Sequence, residues 1–426
     1  TIVKVIAHVY PAIMTNETLL HLKYGVSMLI STVRSLLLPL LGIPFALYVM
    51  FHGKTKEYIL DTMSRAAVLA ASMLCLYSLI EIPWLLTGNE FCAGLLKWIN
   101  VHLYDPVNSY GWWPPLLWKG QLRSFAYEPS FFGIEALFLL PLLWYRAFEL
   151  KEKRVGLVLI LFTYMVFLTH SRTAQVIYLG ELLLLIFLSL VGRYPAWGKR
   201  LVQVFIVTGL AFSIYLILPM ALSAIRGERS TSALQPVAAF EKYVSEDVAS
   251  VGKKSQRSNM ARWGNTVALF NVGVDHPLIG VGTGFVSPYM TDHIPDFARE
   301  DGEVNLWKAK LGEKGFMKSG YPILNTFGGV VAFYGVIGLF LFAWPIIYAG
   351  IKILKGYRCM LRCFGNICVI VALAGQIVCL NSNNFFYTYP LILGTTLLLC
   401  FQRDTKEKLA SDRGQETDIR NLISKI

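Results

Sequence analysis

The chain has 426 residues, of which 55% are hydrophobic and only 15% charged, well under the roughly 25% charge of soluble domains. With apolar runs long enough to cross a bilayer, that excludes a soluble enzyme and describes one polytopic integral membrane protein. The net charge of +12 would suggest nucleic acid in a soluble protein, but here basic residues mark cytoplasmic loops and meet anionic lipid, so no nucleic-acid partner is expected.

The sequence opens at Thr1 without a signal peptide, so upstream residues, with one or two further spans, are expected to be missing. Apolar spans run Val26–Phe51, Ala66–Thr87, Ser130–Tyr145, Val155–Thr169, Thr173–Val191, Leu201–Leu222, Ile323–Ile351, Asn366–Leu380 and Phe385–Phe401. A lipid-exposed backbone must satisfy its own hydrogen bonds, so each is predicted to be helical, an all-α fold of about nine transmembrane helices. The expected organisation is an N-terminal helix bundle over 1–222 with an outer loop at about 88–129. A large extracytoplasmic loop over 223–322, further spans over 323–401 and a basic cytoplasmic tail over 402–426 follow. A single long polar insertion is where such a protein usually keeps its chemistry.

Orientation follows from the connectors. Those around Lys54–Lys56–Arg65, Lys151–Lys153–Arg154, Arg193–Lys199–Arg200 and Lys352–Lys355–Arg358–Arg362 are short and basic and alternate with connectors poor in Lys and Arg. The basic set is predicted to face the cytoplasm and the 88–129 and 223–322 loops the outside, the periplasm in a Gram-negative cell. Val155–Thr169 is short, about 22 Å of helix against a hydrocarbon core of ~30 Å. The turn His170–Ser171–Arg172 after it is therefore expected below the outer surface. An arginine in lipid costs on the order of 3 kcal/mol, so Arg172 needs a reason to be there.

Three outer segments carry candidate chemistry. In the first, Arg123 to Gly133, Glu128 precedes Pro129 at a helix start, which suits both the proline and the helix dipole; Arg123 and Glu128 can equally pair with each other. In the second, Thr169 to Thr173, Ser171 reads as an N-cap, which explains the serine but not Arg172. In the third, Arg257 to Gly284, Arg262 to Phe270 reads as a short amphipathic helix. Gly280, Gly282 and Gly284 follow Asp275–His276–Pro277 and permit a tight turn or close approach to a ligand. No parallel strand precedes them, so a dinucleotide site is not expected. Lys253, Lys254, Arg257 and Arg262 form a basic cluster: a solvated face, or with Arg172 a diphosphate clamp. Glu181 lies in mid-span, with Arg34 and Glu135 shallower, and supports a rival reading as a transporter of an anionic solute. Trp98, Trp112, Trp113, Trp118 and Tyr127 form an interfacial belt or a platform for sugar rings. Seven cysteines make neither a disulfide framework nor a zinc pattern, so no metal or cofactor is expected.

These segments, in this order, resemble the O-antigen polymerase and ligase superfamily, the Wzy-type proteins. The resemblance rests on Phe125 to Gly133, Ser171–Arg172–Thr173–Ala174, Arg262–Trp263, His276 to Gly282, and Leu324–Asn325–Thr326 leading to Tyr334–Gly335 and Gly338–Leu339. It implies a multi-pass protein of the bacterial inner membrane with its active site facing outward. The implied activity is a metal-independent glycosyltransferase acting on undecaprenyl-diphosphate-linked oligosaccharides, with a chain-length regulator protein as a further partner. Arg172, Arg262 and Glu128 are then the catalytic candidates, and Arg123, Arg257, Tyr127, His276 and Asn325 bind diphosphate or glycan. In the ligase branch a histidine precedes the asparagine of the last motif. Here Leu324 stands there, which argues for a polymerase. A ligase, the transporter and a non-catalytic assembly subunit are the alternatives.

Overall fold

The computed structural model describes residues 33–104, 115–192, 196–225, 257–282, 285–314, 320–381 and 387–401, with 26 and 30. Lys253, Lys254, Trp112, Trp113, Arg193, Gly284 and the tail 402–426 lie outside the described residues. Every described element is helical. A wide π-type stretch Val33–Gly42 leads into α1 (Ile43–Phe51), followed by α2 (Lys56–Thr87), α3 (Glu90–Leu103) and α4 (Pro129–Trp144). Then come α5 (Lys153–Leu168), α6 (Arg172–Gly192) and α7 (Trp197–Ile225). The polar insertion contributes α8 (Arg257–Asp275), α9 (Val286–His293), α10 (Asp296–Arg299) and α11 (Gly302–Lys314). The last described elements are α12 (Thr326–Lys355), α13 (Tyr357–Met360), α14 (Phe364–Cys379) and α15 (Thr388–Phe401). Among the described residues, five helices are long and apolar enough to cross a membrane: α2, α4 with its continuation to Glu149, α6, α7 and α12. Leu36–Phe51, α14 and α15 are apolar but shorter.

Local chemistry sets the helix ends. Thr55 accepts the Tyr58 amide at the start of α2, and Gly88, in the left-handed region, closes its far end by donating to the Trp84 carbonyl (2.8 Å). Asn89 caps α3 and Asn325 caps α12 in the same way, each accepting an amide three residues on, which satisfies one of the donors a helix start leaves open. Pro141 cannot donate within α4, and the helix widens into a π-type stretch at Tyr145–Glu149.

Burial, not length, sorts the helices radially. α4 and α14 form the centre, packed on each other and on α6. Both are apolar all round, as expected of a buried helix, and nearly every side chain of α14 is buried. The longer α2, α6, α7 and α12 turn much of their apolar surface outward.

Contacts at the two ends separate the charges. At one end Arg146 donates to Asp61 (2.8 Å), Ser64 and Glu152, Arg200 pairs with Glu149 (2.9 Å), and Gly192 abuts Leu361. These contacts gather all four basic connectors there. The other end carries the starts of α4, α6 and α12. Gly133 of α4 lies against Ala174 and Ser171 of α6, the Leu122 amide donates to the Leu168 carbonyl at the end of α5, and the Thr326 amide donates to the Leu380 carbonyl at the end of α14.

Candidate functional site

The second of these ends holds the candidate residues. Glu128 stands in extended backbone just before Pro129. Its carbonyl accepts the amides of Phe131 and Phe132, and its carboxylate accepts the Ser130 hydroxyl (3.3 Å). Beside it, the Ser171 hydroxyl accepts the Ala174 amide (3.4 Å), the N-cap anticipated from the sequence. Arg172 is the first residue of α6 and is exposed. The preceding His170 has a φ of 49°, so the turn from α5 to α6 passes through the left-handed region.

Asn325 ties the third helix start to the same end. Its side-chain oxygen caps α12 by accepting the Gly328 amide (2.8 Å), while its amide nitrogen donates to the Asn381 carbonyl (3.0 Å). Just below, Gln376 of α14 donates to the Ile134 carbonyl of α4 (2.8 Å). Three helix N-termini therefore converge, each presenting the positive end of its dipole and incompletely satisfied amides.

Arg123 is not placed as a surface cation. It is 1% exposed, with its guanidinium 4.7 Å over the Tyr104 ring and Nη2 donating to the Leu116 carbonyl (3.1 Å). Nη1 is buried with no hydrogen-bond partner among the described residues. Tyr104 also packs on the exposed Tyr127 and donates to the Phe125 carbonyl (2.8 Å). Burial pushes its phenol above the ordinary range, more than the opposing Arg123 charge lowers it, so it remains a donor. Behind this group sits a residue the sequence reading passed over. Glu81, buried in α2, accepts the backbone amides of Arg123 (3.1 Å) and Ser124 (2.8 Å). It thereby holds Ser124 at a φ of 53° and sets the path toward Tyr127 and Glu128. A carboxylate in an apolar span was the available signal.

The third segment forms a small module with its own apolar core of Ala268, Leu269, Val272, Val281, Val286 and Met290. The predicted amphipathic helix extends further at both ends, as α8. Arg262 and Trp263 are exposed on it, and Arg257 is its first residue; the Arg257 side chain lies outside the described residues. Asn265 anchors α8 to the chain before Asn325, donating to the Pro322 carbonyl (2.8 Å) and accepting the Leu324 amide (3.4 Å). His276 packs edge-on to Tyr289. Glu181, between α6 and α14, is 2% exposed, and Gly375 leaves room for its carboxyl group. Neither oxygen has a hydrogen-bond partner among the described residues.

A multi-pass helical bundle that gathers three helix starts and their motif residues at one end defines the class of protein. Residues 157–343 match the family model described as O-antigen ligase. That stretch includes Arg172, Arg262, His276 and Asn325, and through it the chain is similar to the O-antigen ligase and polymerase superfamily. No curated protein and no solved structure matches the chain.

Proposed function

We propose that the protein is a polysaccharide polymerase that moves a growing glycan from undecaprenyl diphosphate to a hydroxyl of the next lipid-linked repeat unit. The observation that carries this reading is the convergence of the α4, α6 and α12 starts, with Arg172 at one of them. Helix N-termini and guanidinium groups both favour phosphate oxygens. In the reaction the bond from the anomeric carbon to the diphosphate oxygen breaks as the acceptor oxygen bonds to that carbon. Negative charge develops on the departing diphosphate, where Arg172 and Arg262 stabilise it without a metal ion. Glu128 takes the acceptor proton. Tyr127, His276, Asn325 and Arg257 are the further diphosphate and glycan ligands in this reading, and Arg123 acts by holding Tyr104 and its neighbour Tyr127. The site faces the outside of the bacterial inner membrane, and a chain-length regulator is its protein partner.

Leu324, where the ligase branch carries histidine, favours polymerase, whereas the description of the matched family favours ligase. Purified protein incubated with undecaprenyl-diphosphate-linked repeats in the presence of a chelator should give a ladder of lengthening lipid-linked glycan. Arg172→Ala and Arg262→Ala should each lower extension by about a hundredfold or more at unchanged protein level. Normal ladders from either variant remove that arginine from the mechanism. Transfer to a second, non-polyprenyl acceptor in place of a ladder would establish the ligase.

A further inference from the structure

The polar insertion does not stay clear of the membrane bundle. α8 runs alongside the first turns of α12 in the same direction: Leu269 lies against Gly328 and Gly273 against Val331. Beyond α8 the chain continues down α12, and the Pro277 carbonyl accepts the Val336 amide (2.7 Å). It then reverses, and the amides of Val281 and Gly282 donate to the carbonyls of Ala332 (2.8 Å) and Phe333 (2.9 Å).

These bonds fall on a break in α12. Gly335, with φ 64° and ψ −161°, interrupts the helix in its outer half and leaves backbone donors and acceptors without their helical partners. Broken backbone at membrane depth is tolerated only where protein or water satisfies it. Here the hairpin tip from Pro277 to Gly282 does so from both strands. Ten residues of α12 separate Thr326 from Val336, about 15 Å along the axis, so the tip lies well below the helix start. Pro277 to Gly282 carries no charge. At its turn, Leu278 and Ile279 are 69% and 71% exposed, flanked by exposed Val274 of α8 and by Val336, Ile337 and Phe340 of α12. The apolar outer face of a span thus continues without interruption onto the tip. The charged residue next to the tip in sequence, Asp275, is engaged by His293 (2.7 Å) at the rim of a groove of about 420 Å³ lined by Asp292, Asp296 and Arg299.

We propose that residues 276–282 form a re-entrant hairpin tip inserted into one leaflet, with Leu278 and Ile279 in contact with lipid acyl chains. The tip anchors the polar module to the bilayer and at the same time fills the break in α12.

Site-directed spin labels test this in protein reconstituted into phosphatidylcholine bilayers, with the chain's seven cysteines replaced by alanine. Labels at Leu278→Cys and Ile279→Cys should collide readily with oxygen and poorly with a water-soluble nickel chelate, as at Phe340→Cys and several-fold unlike the exposed Glu300→Cys. Access to the chelate equal to that at Glu300→Cys would place the tip in water and overturn the proposal. Resistance to both reagents would mean that protein, including a second copy of the chain, covers the tip, and would overturn it equally. A second measurement keeps the native cysteines. Tryptophan at Leu278 or Ile279 should be quenched by brominated acyl chains more than tryptophan at Glu300, and equal quenching would refute the insertion.

Discussion

Glu81 shows how one side chain positions a site it does not enter. Its carboxylate accepts two successive amides, Arg123 and Ser124, inside an apolar span. Glutamine at this position keeps one acceptor and points an N–H₂ group at the second amide. A buried donor left unmade costs about 1–3 kcal/mol, so Glu81→Gln should lower the unfolding free energy by about that much in a detergent melt. The loss should reach function through position. Extension should fall with the Ser124 turn, whereas Glu81→Asp, which keeps both acceptors, should recover part of it. An unchanged melt for Glu81→Gln would mean that the turn holds itself. Arg123 carries the same lesson in reverse. A basic residue beside Glu128 reads from the sequence as a phosphate ligand or an ion-pair partner, yet its fixed neighbours are an aromatic ring and a carbonyl.

At the scale of elements, the contact between α12 and the 276–282 tip is the most exacting. Gly335 has a backbone conformation essentially reserved for glycine, and a Cβ there would collide with the Leu278 carbonyl. Gly335→Ala should therefore destabilise by about 3 kcal/mol. Gly350→Ala, in the same helix with nothing near the added carbon, should be neutral or stabilise by up to about 1 kcal/mol. Equal melts for the two would show that the break is not fixed by this packing. The module's other joint is pH-dependent. Partial burial works against the His293 cation, but hydrogen bonds to Asp275 and the Tyr289 carbonyl, with the Asp275 and Asp292 charges, outweigh it and raise its pKa above 6.5. A raised pKa gives stability that is fully present below the unfolded value, near 6.5, and lost as pH climbs through the folded one. The melting difference between native protein and His293→Gln should thus shrink from acid to mildly alkaline pH; a constant difference would assign the pair no linkage. None of this pairing was legible beforehand. Gly280 and Gly282 signalled close approach, but what they approach is α12 backbone some fifty residues on, and no local pattern encodes that partner.

The molecule as a whole was more legible, because bilayer solvation acts on every residue of a span. Each predicted apolar span is helical over most of its described part, though Ile323 to Asn325 precede α12 rather than belong to it, and Ser171 caps α6 as its spacing indicated. Hydropathy could not tell central from peripheral helices, since α14 and α7 are similarly apolar and only packing distinguishes them. Nor could it name the partners of Glu81, which are distant in sequence. What sequence and structure yield jointly is polarity from end to end. Lys54 to Arg65, Lys151 to Arg154, Lys199 with Arg200 and the Lys352–Arg362 connector converge through Asp61–Arg146–Glu152, Glu149–Arg200 and Gly192–Leu361, while the motif residues collect at the opposite end. Positive residues are retained on the cytoplasmic side, so this clustering predicts one orientation for the whole bundle. With the native cysteines removed, Lys308→Cys on α11 should react with a membrane-impermeant maleimide in intact spheroplasts. Lys151→Cys, exposed at the basic end, should react only in inverted vesicles. Labelling of both from one side would break the assignment of the motif end to the outside and, with it, the access of an external lipid-linked glycan to Arg172.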